Sequence, residues 1–253
     1  MTESLSPRRR GQLVSLGHMC KGDSDRAAVE SYQEFHGLAC DGDCGPVTRW
    51  HMDQPRCQMP DLAIEGAAFD CRWTTKDLTY ALSLGNLRGL TESEIDSIGD
   101  EAMKLWASAC GLTFREVTGD ANIVAKPGSM SGGTLAWSYL GCGFGPNDTA
   151  NQEYNQSVTW SRRLLLNTII HEVGHAIGLS HSSDRRSIMY PTVSGQEGGL
   201  SFGDRQEVLD RYGPATPGED GPTTPGEDGL LTATIVLGGR VYLLNGTAKL
   251  IGG

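Results

Sequence analysis

Residues 171–181 read HEVGHAIGLSH, a histidine spacing that a helix followed by a tight turn can bring to one point. His171 and His175 are four residues apart, so on a helix they lie on one face, one turn from each other. Gly178 permits the left-handed turn that ends the helix and redirects the chain towards His181. The sequence therefore predicts an active-site helix whose end brings three imidazoles together.

Three histidine ligands leave one tetrahedral position open, which distinguishes a catalytic zinc site from a closed structural one. Their neutral rings leave the charge of the ion uncompensated, so zinc held there would acidify a water molecule. Glu172 lies on the flank of the same helix, where its carboxylate can take the proton of that water and pass it to the departing amine of a peptide. We predict one zinc bound by His171, His175 and His181, with Glu172 as the catalytic base.

A second motif lies a short distance beyond the histidines, where residues 187–191 read SIMYP. Together the two motifs resemble those of the metzincins, and SIMYP resembles the Met-turn in the form typical of matrixins, the matrix metalloproteinase family. The resemblance implies that Met189 forms the hydrophobic floor beneath the metal. It also implies a zinc metalloendopeptidase of the α+β class, in which a twisted mixed sheet and an active-site helix form the metzincin catalytic domain.

Residues 55–61 read PRCQMPD and are similar to the PRCGxPD cysteine switch of matrixin propeptides. In that family the cysteine thiolate takes the fourth zinc position, so Cys57 is the candidate inhibitor and Arg56 its positional anchor. A thiolate is a good zinc ligand, and the two prolines favour an extended segment. Gln58 replaces the glycine of the family pattern, which restricts the backbone there. The resemblance implies a zymogen, active once a protease has removed roughly residues 1–68.

The resemblance also implies an edge strand that faces the substrate, at residues 133–139, which read GTLAWSY. An extended peptide would add to this strand by main-chain hydrogen bonds, with side-chain pockets giving selectivity. The candidate substrate-binding residues are Leu135 and Ala136 on the strand and, lining the pocket beside the cleaved bond, Pro191, Thr192 and Val193.

The second, structural zinc site of the family has no counterpart in this sequence. By resemblance its histidines would fall at Trp137 and Glu153, and its aspartate at Asn155. The histidines outside the 171–181 motif all precede the catalytic domain, so they cannot supply a second three-histidine site there. We therefore predict one zinc per chain, and calcium binding stays open.

Composition and periodicity divide the chain into four segments. In order, these are a small helical prodomain over 1–62, the catalytic domain over 63–213, a linker over 214–229 and a short β-rich tail over 230–253. The linker repeats TPGEDG and has too few apolar residues to bury a core. The tail reads as three short strands with turns at 238–239 and 245–246.

Apolar periodicity also predicts the main elements of the first two segments. A prodomain helix is expected at 26–36. The catalytic domain is expected to contain helices at 91–110, about 163–177 and about 204–212, the first of them opened by a capping box between Thr91 and Glu94. Strand-like runs occupy 78–82, 112–117, 121–125 and 134–140.

The charge balance limits the classes of partner. The net charge is −10 and the sequence pI is near 5.0, with one short basic cluster at residues 8–10. This argues against nucleic acid, since phosphate recognition relies on a concentrated basic surface. No apolar run approaches the ~20 residues that a membrane-spanning helix needs. The predicted partners are protein or peptide substrates and an activating protease, and we expect a monomer.

Seven cysteines are more than a cytosolic chain of this size usually carries. Cys57 is interpreted as the unpaired one, and the other six are either disulfide partners or reduced, buried thiols. These six are Cys20, Cys40, Cys44, Cys71, Cys110 and Cys142. We expect an extracellular or secreted protein, although the first residues show no apolar stretch of the length of a secretory signal.

Two further hypotheses concern the N-terminal segment, which resembles a peptidoglycan-binding module that often precedes the cysteine switch. The chain could be a cell-wall binding protein with a vestigial zinc domain, or an active hydrolase of cell-wall peptides. Glu172 argues against the first, because a structural zinc site has no use for that carboxylate. Digestion of a denatured protein, compared with digestion of peptidoglycan stem peptides, would separate the second from a general endopeptidase.

Overall fold

A computed structural model describes residues 5–62, 72–85, 87–141, 144–192, 199–215, 230–237 and 240–247. The chain divides into two compact units, Met1–Ala215 and Thr216–Gly253. Some of the sequence predictions fall outside the described residues, namely those on Cys71, Cys142, Val193, residues 216–229 and the turn at 238–239.

The first unit begins with three helices, α1 (Pro7–Ser15), α2 (Asp25–Phe35) and α3 (Pro46–Met52). The Ser6 and Ser24 side chains cap α1 and α2 by accepting hydrogen bonds from backbone N–H groups that have no partner within the helix. A small core joins these helices, formed by Leu13, Val29, Tyr32, Met52 and their neighbours. The helix predicted at 26–36 is therefore present as α2, whereas α1 and α3 were not predicted.

The rest of the first unit contains five strands and three helices. In chain order these are β1 (Asp77–Leu82), α4 (Glu92–Ala109), β2 (Thr113–Glu116), β3 (Ile123–Gly128), β4 (Ala136–Ser138), β5 (Ala150–Asn155), α5 (Arg162–Ala176) and α6 (Phe202–Tyr212). The strands form one sheet in the order β2-β1-β3-β5-β4, in which β4 alone runs antiparallel to its neighbour. The α+β class and the mixed sheet are confirmed.

Strand β5 is absent from the predicted elements because its inward face is partly polar. Gln152 lies on that face, where an alternating pattern would place an apolar residue, and Asn155, on the opposite face, is buried as well. Gln152 bonds to Ser138 (3.3 Å), and the Asn155 side chain donates to the Thr134 carbonyl (2.7 Å). Both amides are therefore satisfied across the β4 edge, which ties this edge to the sheet.

Helices α4 and α5 share the main hydrophobic core with the sheet. The predicted capping box opens α4, with Thr91 and Glu94 each accepting from the backbone of the other. Trp106 on α4 is fully buried, and its indole N–H donates to the Ile170 carbonyl of α5 at 3.0 Å. Because Ile170 directly precedes His171, this hydrogen bond sets the position of α5 relative to α4 close to the first motif histidine.

The second unit contains an antiparallel pair, β6 (Leu230–Leu237) and β7 (Arg240–Thr247). The turn predicted at 245–246 is wrong, because Asn245 and Gly246 continue β7 and pair with Thr232 and Leu231. The antiparallel register runs unbroken through both residues, and a turn there would end the ladder. Most of the predicted third strand lies outside the described residues.

Five cysteines are free thiols in the described part of the chain: Cys20, Cys40, Cys44, Cys57 and Cys110. Cys110, which follows the last residue of α4, is buried, and its sulfur lies 3.4 Å from the Trp106 carbonyl oxygen of that helix. The four of these that were candidates for disulfides are therefore reduced, but the hypothesis of reduced, buried thiols holds in full only for Cys110, since Cys20 and Cys40 are exposed and Cys44 is half-buried. No helix in the described ranges is long and apolar enough to cross a membrane.

Trp106→Ala should destabilise the first unit by about 3–5 kcal/mol, because it removes a large buried ring and leaves the Ile170 carbonyl without its indole donor. Equilibrium urea denaturation of the purified chain would measure the free energy of unfolding. Trp50→Ala is the matched control, since Trp50 is 65% exposed and its loss should change that free energy by less than about 0.5 kcal/mol. Equal losses from the two variants would contradict the packing described for α4 and α5.

Candidate metal centre and the segment that covers it

The three motif histidines meet at the end of α5. His171 and His175 lie on its last turns, and the helix ends in a hydrogen-bonded turn in which Leu179 N–H donates to the Gly174 carbonyl at 2.9 Å. Gly178 has a φ of 94°, a left-handed conformation that favours glycine. The chain then returns to place His181 beside the other two rings, as predicted.

Each of these histidines uses its Nδ1 atom to hold its ring in place. The acceptors are the Ile188 carbonyl for His171 (2.7 Å), the Leu179 carbonyl for His175 (2.7 Å) and the Asp61 carboxylate for His181 (3.0 Å). Carbonyl and carboxylate oxygens accept and cannot donate, so each Nδ1 carries the hydrogen. Each Nε2 consequently presents a bare lone pair.

The lone pairs converge with a spacing that fits zinc. The Nε2 atoms of His171 and His181 are 3.2 Å apart, and the Cys57 Sγ atom lies 3.6 Å from the His175 Nε2 atom. A tetrahedral zinc with Zn–N near 2.0–2.1 Å and Zn–S near 2.3 Å separates its ligand atoms by about 3.3–3.6 Å. Two lone pairs this close repel unless a cation lies between them, so the donor set fits the predicted ion.

Burial keeps the three imidazoles neutral. It lowers the pKa of His171 to about 3 and the pKa values of His175 and His181 below their usual range. Burial also raises the pKa of the Cys57 thiol, and the Glu172 carboxylate adds to that shift. A dication at this centre reverses the effect, because a coordinating thiol loses its proton.

Glu172 is fully buried beside the converging rings. Neither carboxylate oxygen has a hydrogen-bond partner in the described part of the chain, and burial raises the pKa of Glu172 to about 8, while the neighbouring Cys57 opposes that shift. An unpartnered buried carboxylate costs stability and needs a reason. Its position on the flank of the histidine face supplies one, because a water or peptide group at the metal would be its partner.

Met189 packs against α5 at Gly174. It is 1% exposed, and a Cβ atom added at Gly174 would lie 2.3 Å from its sulfur. The turn that carries Met189 is held by Asp204 of α6, whose carboxylate accepts from the Ile188 N–H at 3.0 Å and from the Ser187 hydroxyl. Asp204 was not singled out in the sequence, since nothing local to it indicates a contact with the turn.

The segment around Cys57 occupies the groove beside the centre through main-chain hydrogen bonds on both sides. On the edge-strand side the bonds join Arg56 N–H to Gly133 O (2.9 Å), Leu135 N–H to Arg56 O (2.9 Å) and Gln58 N–H to Ala136 O (3.1 Å). On the other side, Cys57 N–H donates to Pro191 O at 3.0 Å, and Arg56 pairs with Thr192. Four of the five predicted substrate-binding residues therefore surround this segment.

A small cavity of about 20 Å³ lies beside the segment. Its lining includes Cys57, Leu135, His171, Glu172, Pro191 and Thr192, together with Asn167 and Thr168 of α5, which were not predicted. These residues therefore meet between the edge strand and α5, next to the histidine face.

Asp61 holds the other end of the segment. Its fully buried carboxylate forms an ion pair with Arg56 and accepts from three histidines, His18 (3.1 Å), His36 (3.1 Å) and His181 (3.0 Å). Although burial alone would raise the pKa of Asp61, Arg56 and the histidines hold it well below its usual range. The grouping was missed because its members are distant in sequence.

At the positions of the family's structural zinc, the side chains bond to each other. The Trp137 indole donates to Glu153 at 3.3 Å, which joins β4 to β5. A hydrogen bond therefore connects these strands at the point where the family pattern has metal ligands.

Three converging imidazoles, a buried carboxylate between them and a methionine floor define a zinc metalloendopeptidase centre. A family model described as Matrixin matches residues 72–213. The chain belongs to the matrixin family, as its motifs predicted, and zinc is the catalytic metal of that family. The match does not extend to the N-terminal helices, so their resemblance to a peptidoglycan-binding module stays a prediction.

Curated relatives agree with this assignment. The chain is 31% identical to matrilysin from Felis catus over 211 residues, which cover 76% of this chain and 79% of that protein. It is 31% identical to interstitial collagenase from Equus caballus, covering 81% of this chain and 50% of the collagenase. It is 30% identical to matrix metalloproteinase-18 from Xenopus laevis, covering 66% of this chain and 38% of that protein. The chain thus spans half or less of the two longer relatives.

Gly174→Ala should weaken zinc binding by about 10- to 100-fold, because the new methyl group displaces Met189 and tilts the turn that orients His171. Competition with a chromogenic chelator would measure the zinc affinity. Gly11→Ala is the control, since a Cβ atom at that helical glycine meets nothing within 4 Å. Unchanged zinc affinity in Gly174→Ala would show that the methionine floor does not position the histidines.

Proposed function

We propose that this protein is a zinc-dependent endopeptidase made as a latent precursor, in which Cys57 is the fourth zinc ligand until the prosegment (roughly residues 1–68) is removed. One observation carries the proposal. The Cys57 sulfur and one ring nitrogen of each of the three histidines lie within 4.8 Å of one another, which is close enough for one ion to contact all four. The proposed ligand set is His171, His175, His181 and, in the latent form, Cys57.

Once the prosegment has left, the edge strand and residues 190–192 offer the main-chain groups that the Cys57 segment now occupies. An extended peptide would bind there by the same kind of hydrogen bonds. Leu135 and Ala136 would hold its backbone, and Pro191, Thr192 and Val193 would border the side chain next to the cleaved bond. Selectivity would then depend on what fits between these residues and α5.

Zinc bound by the histidines supplies a Lewis acid that polarises the peptide carbonyl and acidifies water. Glu172 removes the proton from the attacking water and delivers it to the departing amine. A dication beside Glu172 favours its ionised form, which the first step needs, and the buried position of the carboxyl favours holding the proton until the amine takes it. Met189 and the Nδ1 partners keep the histidine rings from turning.

The prosegment blocks this chemistry in two ways. Its main chain fills both sides of the substrate groove, and its thiol takes the position that water needs. An activating protease that cut between Leu62 and Arg72 would remove residues 1–62, with Arg56, Cys57 and Asp61 among them. Residues 63–71 would contain the cleavage site, and Phe69 is proposed near the new amino terminus.

We propose protein substrates, an extracellular location and a monomeric catalytic form. Relatives named interstitial collagenase and macrophage metalloelastase support proteolysis of extracellular matrix proteins as the substrate class to test first. Cell-wall binding and hydrolysis of cell-wall peptides are the alternatives. A digest that offers gelatin and peptidoglycan stem peptides side by side separates the three functions.

Glu172→Gln should reduce kcat/KM for gelatin-derived peptides by about 10²- to 10⁴-fold in protein from which residues 1–68 have been removed. Zinc content should stay at one per chain, because Glu172 is not a ligand. Glu116→Gln, an exposed change on β2, should leave both quantities unchanged. Full activity in Glu172→Gln would exclude this carboxylate as the base.

Cys57→Ser should make the full-length chain active without trimming, because a hydroxyl is a far poorer zinc ligand than a thiolate. A fluorogenic peptide assay on untrimmed protein would measure the gain, which we expect to be roughly tenfold or more, since Cys57 removes both water and substrate from the centre. Cys20→Ser is the matched control, because Cys20 is an exposed free thiol. A latent Cys57→Ser protein would mean that the main-chain contacts of the segment keep the centre covered without the thiol.

A further inference from the structure

Buried side chains from the prosegment and from the Met-turn form one continuous line of hydrogen bonds. The Tyr32 hydroxyl bonds to His51 Nδ1 (2.8 Å), and His51 Nε2 bonds to the Tyr190 hydroxyl (3.1 Å). The same hydroxyl bonds to His36 Nδ1 (2.9 Å), and His36 Nε2 bonds to Asp61 (3.1 Å). Tyr190 follows Met189, so the line joins the prosegment to the floor of the metal centre.

The direction of every hydrogen bond in this line follows from its last member. Asp61 is ionised and can only accept, so His36 carries its hydrogen on Nε2 and accepts at Nδ1 from the Tyr190 O–H. The Tyr190 oxygen then accepts from His51 Nε2–H, and His51 Nδ1 accepts from the Tyr32 O–H. All four ring nitrogens are used, and both histidines are neutral.

This line of residues cannot take up a further proton without losing a hydrogen bond. With a proton on Nδ1, His36 donates to the Tyr190 oxygen, so the Tyr190 O–H must donate to His51 Nε2 instead. His51 then carries its hydrogen on Nδ1, and the Tyr32 hydroxyl loses its acceptor. All four rings are at most 5% exposed, so water does not reach them without a movement of the prosegment. The charged and titratable groups that face the two histidines are Asp61, Arg56, His18, Tyr32, Tyr190 and Arg185, whose guanidinium donates to the His36 carbonyl (2.6 Å).

We propose that the Tyr32–His51–Tyr190–His36 line is an acid-operated latch, in which protonation of His36 and His51 releases the prosegment from the catalytic part and uncovers the metal centre. This inference rests on the proposed latency through Cys57. The latch would let acidification open the precursor without prior cleavage.

The sign of the pH dependence follows from the environment of the histidines. Burial lowers the pKa of His51 to about 4, with nearby His36 and Arg185 adding to the shift, and burial also lowers the pKa of His36. The histidines therefore bind protons more weakly while the prosegment is packed on the catalytic part than after its release. The packed state has its full stability only above the free histidine pKa of ~6.5. This stability is lost as the pH falls from ~6.5 towards 4. At pH ~5, protonation of His51 alone shifts the equilibrium between the packed and released states towards release by about 30-fold.

The same residues do not suit a second metal ion. His18, His36 and Asp61 place three donor atoms close together, and both His Nε2 atoms lie 3.1 Å from the Asp61 carboxylate. Asp61 already neutralises Arg56, so a dication there would leave a net charge of about +2 fully buried, which is strongly unfavourable. Hydrogen bonding accounts for the observed spacing without an ion.

The test follows the accessibility of Cys57 in the full-length, zinc-loaded chain. Short pulses of a dipyridyl disulfide, a reagent that labels thiols in acid, would be applied between about pH 8 and about pH 5, with peptide-level mass spectrometry as the readout. Dividing the Cys57 rate by that of exposed Cys20 in the same sample removes the pH dependence of the reagent. We expect this ratio to rise by at least about tenfold on acidification.

His36→Gln/His51→Gln is the decisive variant, since it removes both titrations and keeps the same zinc ligands. Its ratio should be nearly independent of pH, whatever its absolute value, whereas a rise equal to that of the parent would assign the effect to the zinc ligands and overturn the latch. Tyr190→Phe, which retains the ring, should raise the ratio at about pH 8 and flatten its pH profile. Tyr190→Phe is the variant that tests the latch if His36→Gln/His51→Gln does not fold.

The remaining outcomes separate the two proposals. Cys57 labelled as fast as Cys20 in the parent at about pH 8 would contradict the latency proposal itself. A protected Cys57 with a flat pH profile would overturn only the latch. A zinc content of two per chain that falls to one in the double variant would replace the latch with a metal site at His18, His36 and Asp61.

Discussion

The structure depends on the convergence of three imidazole lone pairs that cannot share one point unless a cation lies among them. Each ring is fixed by a hydrogen bond from Nδ1, and the acceptors come from different parts of the chain. The turn after α5 holds His175, the Met-turn holds His171 and the prosegment holds His181. The metal centre is therefore a junction where the helix end, the Met-turn and the prosegment stabilise one another.

The prosegment supplies more to this junction than a thiol. Asp61 neutralises Arg56, orients His181 and accepts from two prosegment histidines, so one buried carboxylate links the ion pair, the metal centre and the prosegment core. Removal of the prosegment would take away the Nδ1 partner of His181 along with Cys57, the proposed fourth ligand. The proposed latency would thus depend on a packed and hydrogen-bonded interface, in which the Cys57 sulfur is one contact among several.

Local patterns made much of the fold predictable. The capping box at Thr91, the apolar stripe of α4 and the glycine after α5 act within a few residues, so the sequence displays them directly. Predictions failed where tertiary contacts replaced local signals. Strand β5 buries Gln152 and Asn155, which a periodicity argument places outside, because partners on the neighbouring edge satisfy their amides. The expected turn at 245–246 gave way to continuous strand pairing for a similar reason.

The sequence by itself determined the metal chemistry, since the spacing of His171, Glu172, His175, Gly178 and His181 encodes a helix and turn that need no distant contact to bring the rings together. Only the tertiary structure decided which groups orient those rings, how the Cys57 segment lies in its groove, and that His36, His51 and Tyr190 meet. The last two of these depend on packing between parts of the chain more than a hundred residues apart. Such contacts carry no periodicity or short-range spacing that a single sequence could reveal.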